Sequence, residues 1–534
     1  MDTRLVSSFF PVACVFGYLL WRIIQLLLRP YTSSLRHLRG PQSPGWLLGH
    51  VKQVYGCSEE WTETYGETFK FKGFCGSDTL FTADTRALHH VLNDATTYVI
   101  PDVQRRIISE IVGNGLPVTE GEQHRRQRRV MNPAFGPAQI RDLTGIFLQK
   151  STELCQFWGA QFTDPGESAR IDLLDGLSKM TLDVIGLAGF DYDFGCLNAS
   201  SKPNELNAAL HTLFLGGNNV PPLFRWLRLM YPILKRINAY KGRELREAKK
   251  VMHDIGMGVV QEKKRAVAKL GIAGVSPRRD LLTLLTRANM DPSVPENQRL
   301  SDEEILAQVP TFLLAGHETT SNATAWALYA LSTDLAIQTK LREECFSLST
   351  SDPTMDELNS LPFLESVVRE SLRLHPPVES AARTATRDDI IPLGKPCIDA
   401  RGRAQDHLRV EKGVSIHIPI LAVNRSKAIW GEDALKFRPD RWNDVPETAQ
   451  KVPGSWANTM TFLGGTRSCI GFRFTIIEIK ALLFTLMRTF EFELAVPMDD
   501  VQRQTTTLLQ RPVLRSAADK GSQLPMLVKY VQRT

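Results

Sequence analysis

The sequence is poor in cysteine, with 8 in 534 residues, and no two of them form a C-x-x-C pair. A disulfide framework or a structural zinc site is therefore not expected, and dispersed thiols are typical of a reducing compartment. The sequence also has no internal repeat, no heptad run and no long low-complexity stretch. These absences exclude the disulfide-rich, coiled-coil and repeat classes.

An excess of one charge is missing as well, since 64 basic side chains stand against 58 acidic ones and the net charge is +6. A nucleic-acid-binding surface needs clustered basic residues, so no nucleic acid partner is expected. Hydrophobic residues make up 43% of the chain. This content excludes a disordered chain and allows a large core.

Residues 6–21 form an apolar run without a charge, and the apolar character resumes after Arg22 as far as Leu28. A membrane-spanning helix needs about 20 residues to cross ~30 Å of hydrocarbon, and it tolerates a lone arginine near the interface. A cleaved secretory signal would have a shorter apolar stretch and a small-residue cleavage site. Residues 1–28 are therefore predicted to be one N-terminal transmembrane anchor.

The rest of the chain is predicted to follow this anchor as one body. More arginines follow the span than precede it, which predicts by the positive-inside rule that the C-terminal bulk faces the cytosol. Prolines in residues 29–45 predict a stiff connector, and residues 46–534 contain no linker that would divide them. The pattern predicts helices from about 135 to 375, short strands near 380–420, a helix at 471–490 and an extended end. The fold class is mainly α.

The most informative window is TFLGGTRSCIGFRF, in which a glycine-rich turn leads through Cys469 into an amphipathic helix. A thiolate just before a helix is stabilised by the helix dipole and by free N–H groups, so a lowered pKa is expected for Cys469. Gly464 and Gly465 allow the backbone to approach a flat ligand, Gly471 lets the helix start against it, and Arg467 can pair with an acidic cofactor edge. A single cysteine can be the axial ligand of a haem iron.

Read as F-x-x-G-x-R-x-C-x-G, this window resembles the haem-binding signature of cytochrome P450 monooxygenases, with wording closest to fungal microsomal members. The resemblance implies that Cys469 is the axial ligand of the haem iron. It also implies that Phe462, Gly465, Arg467 and Gly471 are cofactor-binding positions.

A second window, LSDEEILAQVPTFLLAGHETTSNATAWALYAL, predicts a long apolar helix that opens with a capping box of Ser301 and Glu304. Pro310 is expected to kink this helix about a turn before Gly316. The kink either widens a pocket or has no functional meaning.

Polar residues at the centre of a buried apolar helix are uncommon and indicate a structural or functional role. Ala315 and Gly316 leave room beside the backbone, while Glu318 and Thr319 can hold water and hydrogen-bond a developing negative charge. The alternatives are a Thr319 hydroxyl bonded back to the preceding turn and a solvated or paired Glu318. The segment resembles the oxygen-activation motif of the family. The resemblance implies that Thr319 lies next to the bound dioxygen and that Glu318 belongs to its proton relay.

A third window, LPFLESVVRESLRLHPPV, predicts a helix from Pro362 to His375 with Glu370 and Arg373 on one face. Alone, this E-x-x-R pair would be a surface ion pair worth a few tenths of a kcal/mol. Together with Arg441 in the later segment FRPDRW, it resembles the buried Glu-Arg-Arg triad of the family. The resemblance implies a role in folding and haem loading.

The most basic window, GEQHRRQRRVMNPAFG, reads in isolation as a nucleic-acid patch or a solvated face. The family often has W-x-x-x-R here, directed at the haem propionates. In this chain His124 replaces the tryptophan and Arg128 matches the arginine, while Arg383 matches a further propionate-pairing arginine of the family. The remaining arginines of this face are a hypothetical docking surface for an acidic reductase.

The resemblance implies a triangular, α-rich single domain with small β-sheets, which binds haem b (iron protoporphyrin IX) between the helix of Thr319 and the loop of Cys469. It implies a monooxygenase that oxidises an apolar small molecule, such as a terpenoid or another secondary metabolite. Electrons would come from NADPH through a separate flavoprotein reductase, since the chain has no G-x-G-x-x-G fingerprint. Substrate selectivity would come from residues 101–117 and 213–224 and from the surroundings of Val378 and Thr507.

With its anchor, the protein is expected in the endoplasmic reticulum membrane, in contact with lipid and with its catalytic domain in the cytosol. One alternative is a haem-thiolate isomerase, dehydratase or peroxygenase that needs no reductase. Another is a non-catalytic membrane haem sensor. The presence of Glu318 and Thr319 favours the monooxygenase, because the first alternative needs no proton relay to dioxygen.

Overall fold

The computed structural model of the protein describes residues 31–51, 53–164, 166–198, 242–270, 280–506 and 509–532, and the single positions 17, 21, 24, 205, 209 and 212. Apart from three of these positions, the predicted anchor at residues 1–28 lies outside the described residues, as do residues 213–224 and Thr507. Within the described ranges, no helix combines the length and the apolar character that crossing a membrane requires.

Helices dominate the described chain. In chain order they are α1 (Val54–Tyr65), α2 (Thr85–Asn93), α3 (Asp102–Val112), α4 (Gly121–Met131), α5 (Pro137–Gly159), α6 (Leu173–Phe190), α7 (Gly242–Leu270), α8 (Leu281–Met290), α9 (Asp302–Leu306), α10 (Gln308–Ser332), α11 (Leu335–Ser347), α12 (Met355–Asn359), α13 (Pro362–Leu374), α14 (Ile420–Asn424), α15 (Lys427–Trp430), α16 (Glu447–Gln450) and α17 (Phe472–Thr489).

The strands are short and form small sheets. They are β1 (Thr68–Lys72), β2 (Asp78–Thr82), β3 (Tyr98–Val99), β4 (Ala169–Asp172), β5 (Ala381–Ala385), β6 (Asp389–Ile398), β7 (Ala404–Val410), β8 (Ser415–Ile418), β9 (Phe490–Leu494), β10 (Val501–Thr506), β11 (Leu509–Leu514) and β12 (Pro525–Tyr530). The largest sheet has the order β1-β2-β8-β5-β3, and the others are β4-β12-β9, β6-β7 and β10-β11. The mainly α fold with small sheets is therefore confirmed.

The chain divides into two compact units, each built from separated segments. We call the first the sheet unit; it contains residues 1–101, 379–434 and 446–468. The second, the helical unit, contains residues 102–378, 435–445 and 469–534. That residues 46–534 form one domain stays a prediction.

Aromatic side chains on the inner face of a hairpin build the core of the sheet unit. β1 and β2 pair antiparallel with Phe69 opposite Phe81. The two rings stack with centroids 4.2 Å apart, and both side chains are buried. Along β1 the buried Phe69 and Phe71 alternate with the half-buried Lys70 and Lys72, which is the period-two pattern of a strand with one buried face.

The helical unit is organised around α10, which is apolar around most of its circumference and is buried along most of its length. A helix of this kind must be covered on all sides, and α10 packs against α6, α13 and α17. Gly316 permits the close approach of α6. A Cβ atom at this position would lie only 2.8 Å from Cγ1 of Ile185.

The start of α10 differs from the predicted kinked helix. The capping box of Ser301 and Glu304 is confirmed, but it opens the short helix α9. This helix ends at Leu306, and α10 begins after Ala307. Pro310 lies in the first turn of α10, where a backbone N–H has no partner within the helix and its loss costs little. The helix is therefore interrupted at Ala307, three residues before Pro310, and not at the proline itself.

Candidate active site

The centre of α10 has one open side. Ala315 is exposed, and Gly316, Glu318 and Thr319 are half-buried, whereas the following turns of the same helix are buried. An exposed alanine in the middle of an otherwise covered apolar helix indicates open space beside it. The predicted motif residues therefore lie at this opening.

The Thr319 hydroxyl belongs to the open side. Its Oγ1 donates a hydrogen bond of 2.6 Å to the carbonyl oxygen of Ala315, one turn earlier. The structure thus shows the back-bonded arrangement, which uses the hydroxyl proton and leaves oxygen lone pairs available to accept from water. Its contact with dioxygen stays a prediction.

Glu318 is a paired charge. One carboxylate oxygen contacts Nη2 of Arg511 on β11, and the other lies 3.4 Å from Nε2 of His317. Burial alone would raise the pKa of Glu318, but the hydrogen bonds and charges of His317 and Arg511 overcome it and lower this pKa to about 2. Glu318 is therefore a carboxylate at neutral pH.

Sequence reasoning missed Arg511. It lies in a strand of the extended C-terminal region, far from α10 in sequence and outside any motif. Only the fold brings this guanidinium to the helix, so no local signal could have identified it.

Cys469 lies shortly before Phe472, the first residue of α17, as predicted. Its surface is exposed, whereas the other described cysteines are buried or half-buried. Burial nevertheless raises the pKa of the Cys469 thiol, and the backbone N–H of Gly471 and the charge of Arg128 only oppose this rise. An open surface with protein on most sides is typical of a cavity wall. The predicted lowering of its pKa was wrong, because desolvation outweighs the stabilisation at the helix start.

The basic window splits into two sides of α4. His124 is buried and Arg128 half-buried, one turn apart, while Arg125 and Arg129 are exposed. Burial lowers the pKa of Arg128, and the nearby Cys469 thiolate opposes that shift. The structure therefore brings Arg128 close to Cys469, and the contacts of His124 and Arg128 with propionates stay predictions.

Two further arginines of α4 form ion pairs within the helical unit, and the exposed Arg129 donates to the side-chain oxygen of Gln298 at 2.6 Å. Arg125 pairs with Glu122 at 2.7 Å, and Arg126 contacts Glu304 at the start of α9. This face is a paired surface of the helical unit, and its docking of a reductase stays a prediction.

The two glycines before Cys469 are required by packing within the sheet unit. A Cβ atom at Gly464 would lie 1.8 Å from the carbonyl oxygen of Pro453, and one at Gly465 would lie 2.2 Å from that of Leu92. Gly465 also has a φ of +67°, which favours glycine. The close approach is therefore to the chain's own backbone; the contact of Gly465 with the cofactor stays a prediction.

The other predicted cofactor residues of the sheet unit have defined places. Phe462 is buried edge-on against Trp456, with ring centroids 5.6 Å apart. Arg467 is half-buried in the turn Gly465–Arg467. Arg383 is buried on β5, where its Nη1 donates 2.8 Å to the carbonyl oxygen of Ala382. These positions neither confirm nor contradict cofactor contacts.

Gly471 differs from the other motif glycines. Its φ is −87°, and an added Cβ atom would meet only Cε1 of Phe135, at an ordinary 3.8 Å. The polypeptide alone therefore does not need glycine at this position. By contrast, Gly316 is needed for the packing of Ile185, so the room predicted beside it is filled by α6.

The side chains of the predicted Glu-Arg-Arg triad contact one another and are buried, unlike the surface ion pair that an isolated E-x-x-R would form. Arg373 donates from Nε and Nη2 to the two oxygens of Glu370, at 2.9 and 2.8 Å. Nε of Arg441 donates to Glu370 at 3.3 Å, and the backbone N–H of Arg438 donates at 3.0 Å. All three triad side chains are at most 2% exposed.

A second acid beside α10 also escaped sequence reasoning. Glu478 on α17 is 0% exposed, and neither of its oxygens has a hydrogen-bond partner of ordinary geometry among the described residues. The Thr320 hydroxyl is a polar group close to it, and burial raises the pKa of Glu478 well above its usual range. Its place in the helical pattern of α17 predicts burial but gives no reason for a carboxyl group there.

The donor set fits a haem iron. Within the described part of the chain, no group of three or more His, Cys, Asp or Glu side chains could hold a metal ion. Cys469 instead offers one sulfur on an open wall, with the N–H of Gly471 and the charge of Arg128 available to stabilise its anion. A macrocycle that supplies the other ligands needs one such protein ligand.

Comparisons with known proteins agree with this geometry. A family profile described as Cytochrome P450 matches residues 39–516. Cytochrome P450 monooxygenase 205 of Postia placenta is 51% identical over 95% of both chains, and its monooxygenase 128 is 51% identical over 97% of this chain and 96% of that protein. Cytochrome P450 monooxygenase claO of Ampulloclitocybe clavipes is 34% identical over 97% of this chain and 98% of its own length.

Proposed function

Because the chain belongs to the cytochrome P450 family and is a monooxygenase, we propose that it oxidises an apolar small molecule with electrons from a separate NADPH-dependent flavoprotein reductase. The reaction is RH + O₂ + NADPH + H⁺ → ROH + H₂O + NADP⁺. The observation that carries this proposal is the open side of α10, where Ala315 is exposed and the one acidic side chain, Glu318, is neutralised by Arg511. A wall whose acid is paired carries no uncompensated negative charge, which favours an uncharged ligand over a cationic one.

Haem b, when bound, supplies the activation of dioxygen. Cys469 would hold the iron through its sulfur, and the N–H of Gly471 would stabilise the thiolate. Arg128, His124, Arg383 and Arg467 would balance the propionate charges.

The residues of α10 would manage water and protons. Thr319 Oγ1 would accept a hydrogen bond from a water on the open side, and a carboxylate oxygen of Glu318 would take up a proton and release it toward that water. Both groups lie on one stretch of α10, so the relay needs no rearrangement of the backbone.

The finer identity of the substrate is proposed from the fungal character of the motifs and of the relatives. The substrate class we propose on this ground is a terpenoid or another secondary metabolite. Comparing the metabolites of a host that expresses the protein with those of the same host without it would test this class. Accumulation of an oxidised product only with the active chain supports it, and a product derived from a charged primary metabolite would contradict it.

We also propose that residues 1–28 anchor the protein once in the endoplasmic reticulum membrane, with residues 46–534 in the cytosol. The support is the uncharged run of residues 6–21 and the excess of arginine after it. Microsomes from expressing cells would retain the protein in alkaline carbonate, and added protease would digest its C-terminal bulk. Release by carbonate would contradict the anchor.

The test of the haem-thiolate reading is the spectrum of the reduced protein with carbon monoxide. We expect a red-shifted Soret band that Cys469→Ser removes and that Cys57→Ser, a change at a half-buried cysteine outside the site, leaves in place. NADPH oxidation should then require added reductase. A band that survives Cys469→Ser would contradict the ligand assignment, and turnover without reductase would favour the peroxygenase or isomerase alternative.

A further inference from the structure

Arg511 and Glu318 form an ion pair between β11 and the centre of α10. Arg511 lies opposite Gln504 in the β10–β11 hairpin, and the neighbouring Gln510 fixes this strand by donating from its backbone N–H to the carbonyl oxygen of Pro377, at 2.8 Å. The strand that carries the Arg511 guanidinium is therefore held by its pairing with β10 and by the hydrogen bond to Pro377.

The pair is partly shielded from solvent, since the Arg511 side chain is 23% exposed and that of Glu318 is 15% exposed. Ion pairs that are shielded in this way are screened less than those on a free surface. His317 approaches the second carboxylate oxygen at 3.4 Å, so both oxygens of Glu318 have a basic neighbour.

The ion pair with Arg511 ties the Glu318 carboxylate to β11. Glu318 and Thr319 are successive residues and point about 100° apart around the helix, so a carboxylate held against β11 is turned from the Thr319 hydroxyl. To exchange a proton with water beside Thr319, Glu318 must leave the guanidinium at least transiently. Paired and released carboxylates are therefore two states with different access to the site.

We propose that Arg511 is a positioning residue that controls how often Glu318 is released to carry a proton to the open side of α10. The proposal rests on the proposed reductase-fed oxygen chemistry. It assigns to a C-terminal strand a control over a relay whose other members all lie on α10.

Without substrate, the fate of reduced oxygen reports proton delivery. Two electrons give peroxide, O₂ + NADPH + H⁺ → H₂O₂ + NADP⁺. Four electrons cleave the O–O bond and give water, O₂ + 2 NADPH + 2 H⁺ → 2 H₂O + 2 NADP⁺. Efficient delivery of protons favours water, so the yield of H₂O₂ per NADPH falls when Glu318 is released more often.

The experiment compares Arg511→Gln, Arg511→Lys, Glu318→Gln and the double variant Arg511→Gln/Glu318→Gln in the full-length haem-loaded protein with reductase. We expect Arg511→Gln to increase the released population of the Glu318 carboxylate roughly five-fold. This variant should therefore have a lower H₂O₂ yield and a smaller solvent deuterium isotope effect on water formation. Glu318→Gln should raise both quantities. The double variant should match Glu318→Gln, because Arg511 acts through Glu318, and Arg511→Lys should lie close to wild type.

Arg369→Gln is the matched control, because Arg369 forms a half-buried ion pair with Glu365 on α13, away from the open side of α10. It should leave the H₂O₂ yield unchanged. If Arg511→Gln raises the H₂O₂ yield in the same way as Glu318→Gln, or if it changes the yield in the absence of the Glu318 carboxylate, the positioning role is overturned.

A second readout needs no turnover. The thermal midpoints of wild type, Arg511→Gln, Glu318→Gln and the double variant form a double-mutant cycle. The fall in midpoint of the double variant should be smaller than the sum of the falls of the two single variants. Additive losses would show that the pair does not form and would overturn the proposal, whatever the enzyme turns over. Failure of the reductase to support any NADPH oxidation, with a coupled cycle, would instead contradict the proposed function.

Discussion

Glu478 shows at the residue scale how the interior can hold an acid that is not ionised. The side chain is fully buried on α17, without a hydrogen-bond partner of ordinary geometry among the described residues for either oxygen. Burial therefore raises the pKa of Glu478 well above its usual range. Desolvation of an unpaired carboxylate favours the protonated acid over the anion.

Replacing Glu478 by glutamine should stabilise the protein increasingly as the pH rises. In the unfolded chain a glutamate loses its proton near pH 4.3, whereas the folded protein keeps it, so unfolding releases a proton above that pH. The glutamate thus lowers the free energy of unfolding by up to about 1.4 kcal/mol per pH unit, until the folded pKa is reached. Glutamine has no such proton to lose.

The measurement is the thermal midpoint of wild type and Glu478→Gln between pH 5 and pH 8. The difference in favour of glutamine should grow with pH. Glu262→Gln, at an exposed position on α7, should show no such trend. A difference that stays constant over this range would mean that Glu478 ionises in the folded protein.

Single residues of the site could be predicted where the residue types and their spacing together form one recognisable sequence motif. Cys469 before α17, the triad of Glu370, Arg373 and Arg441, and the capping box of Ser301 all lie where the sequence indicated. Arg511 was not predictable, because its partner Glu318 lies on an element distant in sequence. Glu478 was not predictable, because no local pattern gives a reason for a buried carboxyl group. The pKa of Cys469 was predicted with the wrong sign, since a helix start is visible in sequence and desolvation is not.

At the scale of elements, local sequence signals determine where helices begin and end, whereas strands form where a partner strand is available. Pro362 begins α13 as predicted, the helix ends at Leu374, one residue before the predicted His375, and the strands from β5 to β8 fall in the predicted region. The β1–β2 hairpin and β4 were missed. β2 pairs in parallel with β8, and β4 pairs with β12, so these strands depend on partners more than 300 residues away.

The contact of α6 with α10 predicts a specific effect of adding one methyl group. Gly316→Ala would place a Cβ atom 2.8 Å from Cγ1 and 2.9 Å from Cδ1 of Ile185. Overpacking of this kind costs about 1–3 kcal/mol, and the better helix propensity of alanine recovers less than about 1 kcal/mol. We expect a net loss in the free energy of unfolding.

Ile185→Ala in the same molecule tests the cause, because it removes both contacting atoms. Alone it should cost about 2–5 kcal/mol, and combined with Gly316→Ala the loss should be smaller than the sum. Gly258→Ala on α7 is the control, since a Cβ atom there would meet nothing within 4 Å and should be neutral or stabilising. Strict additivity in urea unfolding would show that α6 moves aside.

At the scale of the whole molecule, the chain passes repeatedly between the two units without a linker that marks the passage. Residues 435–445 belong to the helical unit, although the segments on both sides of them belong to the sheet unit. Domain boundaries are normally indicated by flexible, polar stretches. A polar stretch, residues 443–455, spans the junction after Val445, but such a stretch is equally typical of a loop within a domain, so it did not indicate the two units.

Glu370 is the residue that binds this short segment to the helical unit. Its carboxylate accepts from Arg441 and from the backbone N–H of Arg438, while Arg373 donates to it and to the carbonyl oxygen of Lys436 at 3.5 Å. Glu370→Ala would leave two buried guanidinium groups without their carboxylate. Breaking a buried pair in this way costs about 3–5 kcal/mol, a large part of the stability of a typical protein.

Asp440→Ala is the matched control, because Asp440 belongs to the same segment but pairs with Lys340 at 2.8 Å with both side chains more than half exposed. Its loss should cost less than about 1 kcal/mol. We expect Glu370→Ala to lower the thermal midpoint strongly and to make residues 435–445 sensitive to limited proteolysis, while Asp440→Ala does neither. If both variants lowered the thermal midpoint by the same small amount, the packing of Trp442 and Pro439 would hold the segment. The triad would then only neutralise its own charges and would not stabilise the fold.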